Sequence, residues 1–307
     1  MDLYTASHRL DRRFVLDGSP LEIGHHAIIG DGYSCALIGV DGAIEWMCLP
    51  SFDSPSVFAS ILDAGKGGSC RVAPTALQCE SRQAYDDGTN VLQTLFHQPG
   101  QGTAVLTDYM PWTSEQHSSV HELHRMVEVR DGSMDLSVSF DPRFDYARGA
   151  TEVEATPNGA IGRGPNGEIL SISISPGIHF EPAAAGGVQA RFSLRAGHRV
   201  WVILSWDSER PEPTASHRPF EYLRRTRRHW RSWASQLRYD GPWRHDVLRS
   251  ALTLKLLQYA PTGAMVAAPT SSLPVSPDGK RNWDYRFSWT RDSAMAIRAM
   301  NLIGYGS

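Results

Sequence analysis

The sequence predicts a mainly β protein: a large antiparallel β-sandwich followed by a helical segment. Three observations carry this reading. Short apolar runs separated by turn residues fill about 28–206, no helical periodicity interrupts them, and the spacing turns helical after Pro211-Glu212-Pro213. The expected organisation is a sandwich domain over 1–213, a linker helix over 214–240, and the start of a second, helical domain over 241–307.

The first strong element is a hairpin. Runs at 36–40 and 43–49 flank Asp41-Gly42, and glycine accepts the positive φ that a tight hairpin turn requires. Further strands are expected at 91–96, 104–109, 124–129 and 136–140. Strict alternation in Ile169-Leu170-Ser171-Ile172-Ser173-Ile174 predicts one buried and one wetted face. Runs at 189–194 and 199–204 close the series, and many strands without intervening helices indicate antiparallel packing.

Pro219 suits the first turn of a helix, where its missing N–H costs nothing. Phe220, Leu223, Trp230, Trp233 or Ala234, and Leu237 then form an apolar seam that Arg227 interrupts. A second helix is expected over about 243–259 and a third from near Arg291, both rich in apolar residues. Such helices need cover on most sides. The chain is therefore expected to be a fragment of a longer protein.

Composition is that of an ordinary globular protein, with 307 residues, 41% hydrophobic and 21% charged. Thirty basic and 33 acidic side chains leave a formal charge of -3, which gives no reason to expect nucleic acid or an anionic membrane as partner. Arg9, Asp11, Arg12, Arg13 and Asp17 break every signal-peptide-length run, and no window approaches the ~18 apolar residues of a spanning helix. Cys35, Cys48, Cys70 and Cys79 form no C-x-x-C pair, so a reducing, cytoplasmic setting is expected.

Several weaker signals reduce to structure. Gly162-Arg163-Gly164-Pro165-Asn166-Gly167 fits a dinucleotide pattern formally, but a strand follows where a helix would have to, so a hairpin turn is expected. His121-Glu122-Leu123-His124 lacks the spacing that puts two imidazoles on one helical face for zinc, and His25-His26 reads as surface or packing. Arg224, Arg225, Arg227, Arg228 and Arg231 make the linker helix basic, which fits a solvated face or ion pairs to the neighbouring domain.

The densest chemical signal is Arg281-Asn282-Trp283-Asp284-Tyr285-Arg286-Phe287-Ser288-Trp289-Thr290-Arg291-Asp292, at a loop-to-helix junction. Sugars are bound by this mixture: rings cover C–H patches, while guanidinium and carboxylate make charge-assisted bonds to vicinal hydroxyls. Asp292 falls in the first helical turn, where the macrodipole favours the ionised acceptor. The same residue types would equally serve as a capping Arg–Asp pair beside packing aromatics.

Three blocks near the start bear a family pattern: Ile29-Gly30-Asp31-Gly32-Tyr33-Ser34-Cys35-Ala36-Leu37-Ile38, Asp41-Gly42-Ala43-Ile44-Glu45-Trp46-Met47-Cys48-Leu49-Pro50 and Ser51-Phe52-Asp53-Ser54-Pro55-Ser56-Val57-Phe58. With Gly263-Ala264-Met265-Val266-Ala267-Ala268-Pro269-Thr270-Ser271-Ser272-Leu273-Pro274 and the Arg281 to Asp292 segment, the chain resembles glycoside hydrolase family 15, the bacterial glucoamylase-like and trehalase-like enzymes. The resemblance implies an N-terminal super-β-sandwich, an (α/α)6 barrel of which only the first helices are present, and inverting hydrolysis of an α-glucosidic bond. It implies that Arg291 and Asp292 hold the terminal glucose, that Tyr285 and Trp289 shape the pocket, and that Asp284, Trp283 and Arg286 support them. Inversion needs a carboxylic acid and a carboxylate base roughly 6.5–9.5 Å apart. The resemblance puts both on later loops, beyond Ser307, so the chain alone is expected to be inactive.

The expected ligand is an α-glucoside such as trehalose or a malto-oligosaccharide, with no cofactor or metal and with oligomer formation left open. A non-catalytic β-sandwich that binds glycans or regulates a partner is the competing expectation.

Overall fold

The computed structural model describes residues 14–17, 19, 21–76, 78–113, 119–184, 186–271, 273 and 283–306. Arg281 and Asn282 of the aromatic segment, Ser272 and Pro274, and the N-terminal charges Arg9, Asp11, Arg12 and Arg13 lie outside the described residues.

The first eight strands are β1 (Phe14–Val15), β2 (His26–Gly30), β3 (Cys35–Gly39), β4 (Ala43–Cys48), β5 (Ser56–Phe58), β6 (Ser69–Pro74), β7 (Glu80–Tyr85) and β8 (Leu92–Gln98). They are followed by β9 (Gly102–Tyr109), β10 (Glu122–Asp141), β11 (Glu152–Thr156), β12 (Gly159–Arg163), β13 (Ile169–Ile174), β14 (Glu181–Pro182), β15 (Val188–Arg195) and β16 (Arg199–Trp206). A four-residue turn, α1 (Phe144–Ala147), three helices, α2 (Pro219–Ala234), α3 (Arg244–Leu256) and α4 (Thr290–Leu302), and short 3-10 turns at Ile23–His25 and Thr214–His217 complete the described elements.

Every strand pairing is antiparallel. One sheet runs β1-β7-β8-β9-β10-β16-β13-β12-β11. The other joins β2, β3, β4, β6, β10, β15 and β14 in that order, with β5 on β4. The 20-residue β10 belongs to both: its first part pairs with β9 and β16, its last part with β6 and β15. A register shift between Val129 and Asp131 marks the passage from one sheet to the other. The two strands expected at 124–129 and 136–140 are thus one. The polar residues between them are exposed strand residues rather than a turn.

The protein is mainly β, as the sequence predicted, and the two sheets close on one apolar core. Ile29, Ile38, Ile44, Leu92, Phe96, Leu106, Val127, Phe140, Leu170 and Leu204 are all buried in it. Gly42 turns between β3 and β4 with φ 80°, as the Asp-Gly step predicted. An Arg125–Asp108 pair, fully buried, joins β10 to β9 at 2.7 Å and sends two further bonds across to the Cys70 and Gly42 carbonyls. The 164–167 stretch is the expected hairpin turn, between β12 and β13.

One expectation fails at β13. Ser171 and Ser173 are buried, not wetted, in a strand that lies inside its sheet between β12 and β16. The segment after β16 leads into α2, which buries Leu223, Trp230 and Ala234. Phe220, assigned to the seam, is instead 48% exposed and sets its ring edge-on to Trp201. Two of the five arginines pair with the sandwich: Arg227 and Arg231 both reach Asp86, at 2.5 and 3.0 Å. At the helix start Glu122 takes hydrogen bonds from His124 and His217, each at 2.7 Å, and the Tyr109 hydroxyl donates to the Pro219 carbonyl. His26 is packing rather than surface, paired with Glu45 at 2.6 Å. Among the described residues no helix is long and apolar enough to cross a membrane.

Candidate functional site

The described part of the aromatic segment is a short strip, bent at Arg286 and Phe287, that leads into a helix. After α3 the chain turns back, and Val266 bridges Ser288 in antiparallel fashion. The Ala267 and Ala268 amides donate to the Phe287 and Tyr285 carbonyls at 3.1 and 2.9 Å. Tyr285 and Trp289 stack on each other, with ring centroids 5.6 Å apart and planes 24° from parallel. Arg286, at a bend between them, is buried.

Arg286 is held from all around. Its guanidinium donates to Asp284 at 2.8–3.2 Å, to the Phe52 carbonyl and the Cys48 thiol at 3.3 Å, and to the Ser54 carbonyl at 2.5 Å. Burial works against ionisation of Asp284, but the bonds from Arg286 outweigh it and hold the carboxyl below its usual range. The neighbouring strip is fastened too, since the Trp46 indole donates to the Pro269 carbonyl at 2.8 Å.

Trp289, in extended conformation, precedes α4, and Asp292 lies in the first turn. Arg291 and Asp292 contact each other at 3.3 Å in the open, with side chains 70% and 41% exposed. No side-chain cap closes this helix, so the Arg–Asp pair does not serve as one. Trp283 and Phe287 are each about half exposed. The approach to α4 and its first turn thus carry, within eight residues, the stacked Tyr285–Trp289 pair and the exposed Arg291–Asp292 pair, a ledge of rings and charges. Such a ledge can cover a sugar face and bond its hydroxyls. The Asp284 carboxylate sits against the Arg286 guanidinium, an environment that favours the ionised acceptor over a proton-donating acid.

Sequence reasoning missed the sandwich side of this assembly: Trp46, Cys48, the 52–54 loop and Tyr146, whose ring lies 6.0 Å from the Arg286 guanidinium. The Phe52-Asp53-Ser54-Pro55 block was noted as a family pattern, but nothing in it announces carbonyls aimed at an arginine more than two hundred positions away. Among the described residues no group of three or more His, Cys, Asp or Glu is placed to hold a metal ion.

Residues 10–227 match the family described as trehalase-like, N-terminal, and residues 241–306 match glycosyl hydrolases family 15. A trehalase of Thermoplasma volcanium is 37% identical over 291 residues, covering 94% of this chain and 46% of the relative. A trehalase of Mycolicibacterium smegmatis is 35% identical over 307 residues, covering 92% and 45%. The chain spans about half the length of the curated relatives it matches. On these matches, together with a mainly β architecture of the expected kind, the chain belongs to glycoside hydrolase family 15, with the trehalase-like N-terminal region of that family.

Proposed function

We propose that this chain is part of an inverting α-glucoside hydrolase in which Arg291 and Asp292 hold the terminal glucose. Tyr285 and Trp289 shape its pocket, while Asp284, Trp283 and Arg286 support them. In this reading 1–213 is the sandwich domain, 214–240 the linker helix and 241–307 the start of the catalytic domain. The acid and base come from residues beyond Ser307, so the 307-residue chain alone is inactive. Trehalose is the first substrate to try, since the relatives carry the name trehalase, and malto-oligosaccharides are the second. A reducing cytoplasm suits the four cysteines, all unpaired and buried.

The single observation that carries the reading is the exposed Arg291–Asp292 pair beside the Tyr285–Trp289 stack. A surface ion pair between neighbouring residues adds little stability, so both groups remain available to a ligand. The test is glucose release by the complete reading frame from trehalose, maltose and malto-oligosaccharides, with R291A alongside. Loss of charge-assisted bonds to the sugar predicts a fall in kcat/KM of roughly 100-fold in R291A. No glucose from any of these substrates would overturn the reading.

A further inference from the structure

The turn α1 is unusual. Asp145, Tyr146 and Ala147 follow one another with φ 47°, 58° and 56°, all left-handed and none glycine. Such residues persist only where their surroundings over-determine them, and they gather at functional sites. Here the surroundings are clear. Phe144 is buried in the main core, the Arg143 amide donates to the Val57 carbonyl at 2.9 Å, and the Tyr146 amide donates to the Ser56 hydroxyl at 3.0 Å.

The strained turn delivers one side chain to Arg286. The Tyr146 ring packs on Trp46, centroids 6.3 Å apart, with Arg148 at 5.2 Å and Arg286 at 6.0 Å from its centre. Trp46 and Arg286 are the two groups that fasten the 265–269 and 285–289 strips to the sandwich, so Tyr146 touches both fastenings. Its ring face and the Arg286 charge attract each other, and a desolvated guanidinium makes that attraction stronger.

We propose that Tyr146 is a positioning residue for the sugar-holding ledge, acting through Arg286 from the far side of the strip; the inference rests on the sugar-holding role of that ledge. The sandwich then supplies alignment to the catalytic segment as well as support. Moving the ledge displaces the bound glucose relative to the catalytic carboxylates, so a loosened ledge lowers kcat more than it raises KM.

The experiment compares Y146F and Y146L in the complete protein, by hydrogen exchange of the 283–292 peptide and by kinetics on trehalose. Y146L keeps bulk and loses the ring. It is expected to exchange about fivefold or more faster in 283–292, while peptides of β9 and β10 keep wild-type protection. Its kcat/KM is expected to fall about tenfold, mostly in kcat. Y146F retains the ring and is expected to stay within about threefold of wild type on both measures. Unchanged exchange in 283–292, acceleration spread evenly over the sandwich, or a Y146F defect equal to that of Y146L would each overturn the proposal. If the wild-type protein releases no glucose, the sugar-holding reading fails, while the exchange data still decide whether Tyr146 fixes the ledge.

Discussion

Replacing Glu122 with glutamine removes the charge at the joint between the sandwich and α2. The Glu122 carboxylate accepts from His124 and His217 at 2.7 Å each and from the Ser205 hydroxyl at 3.2 Å, with only 13% of its side chain exposed. Burial opposes its ionisation, but the two imidazole N–H groups outweigh burial and hold the carboxyl at about 2 instead of 4.5. A depression of that size corresponds to about 3 kcal/mol of stability at neutral pH, as an order of magnitude. Its sign is fixed: the folded value lies below the unfolded one, so the contribution is complete above about pH 4.5 and is lost as pH falls toward 2. Near pH 3 about half of it should remain. Urea melts of wild type and E122Q at pH 7, 5, 4 and 3 measure this directly. The expected gap is about 2–3 kcal/mol at pH 7, closing as the pH falls below 4.5. A gap that stays constant down to pH 3, or one below about 0.5 kcal/mol at pH 7, would refute the reasoning.

The buried Arg125–Asp108 pair gives a second prediction. R125M or D108L alone should cost roughly 3–5 kcal/mol in urea melts, because each leaves a buried charge without its partner, and the double variant should recover much of that loss. His229 lies flat on Trp112 at 3.8 Å, and burial, then Lys255, pushes it down to about 4. The unfolded chain therefore binds the proton first and stability falls as pH drops from about 6.5 to about 4, so H229N should flatten the melting-temperature profile in that window. At Gly42 a Cβ would lie 2.2 Å from the Val72 carbonyl on a backbone with φ +80°, so calorimetry of G42A should show a loss of roughly 2 kcal/mol or more. R291A should leave the melting curve within about 0.5 kcal/mol of wild type, whereas R286M should lower stability by about 3 kcal/mol or more, since it strands Asp284 and several carbonyls.

The sandwich was legible where local chemistry has one solution. Asp41-Gly42 between two apolar runs leaves little but a tight hairpin turn, and the alternating β13 run could only be a strand. What escaped was set by distant pairing. Ser171 and Ser173 look like a solvent face, yet both are buried in the interior strand β13, and no periodicity within β13 reports its neighbours. Arg130-Asp131-Gly132-Ser133 has turn composition, yet β10 runs through it because different strands pair with the two sides of that point. The site divides in the same way. Ring, guanidinium and carboxylate types made the Arg281 to Asp292 stretch a sugar-binding candidate, but three left-handed residues in α1 carry no glycine to mark them, since they are Asp145-Tyr146-Ala147.

Arg286 and Arg291 show why the segment needs both its fold and its chemistry. They are the same residue type, five positions apart, and a bend that buries the first and a helix start that exposes the second send them to opposite fates. Burying a guanidinium costs several kcal/mol unless its donors are met, and Arg286 meets them with a carboxylate, two carbonyls and a thiol drawn largely from the sandwich. Such a guanidinium is committed and has no donors to offer a ligand. Among the described residues Arg291 meets Asp292, a contact worth little to folding, so its donors can be exchanged for sugar hydroxyls at small cost. The committed arginine fixes the strip and the uncommitted one faces outward from it. On the proposal made for Tyr146, a residue that acts on Arg286 also acts on where Arg291 points, even though among the described residues the two guanidinium groups share no partner.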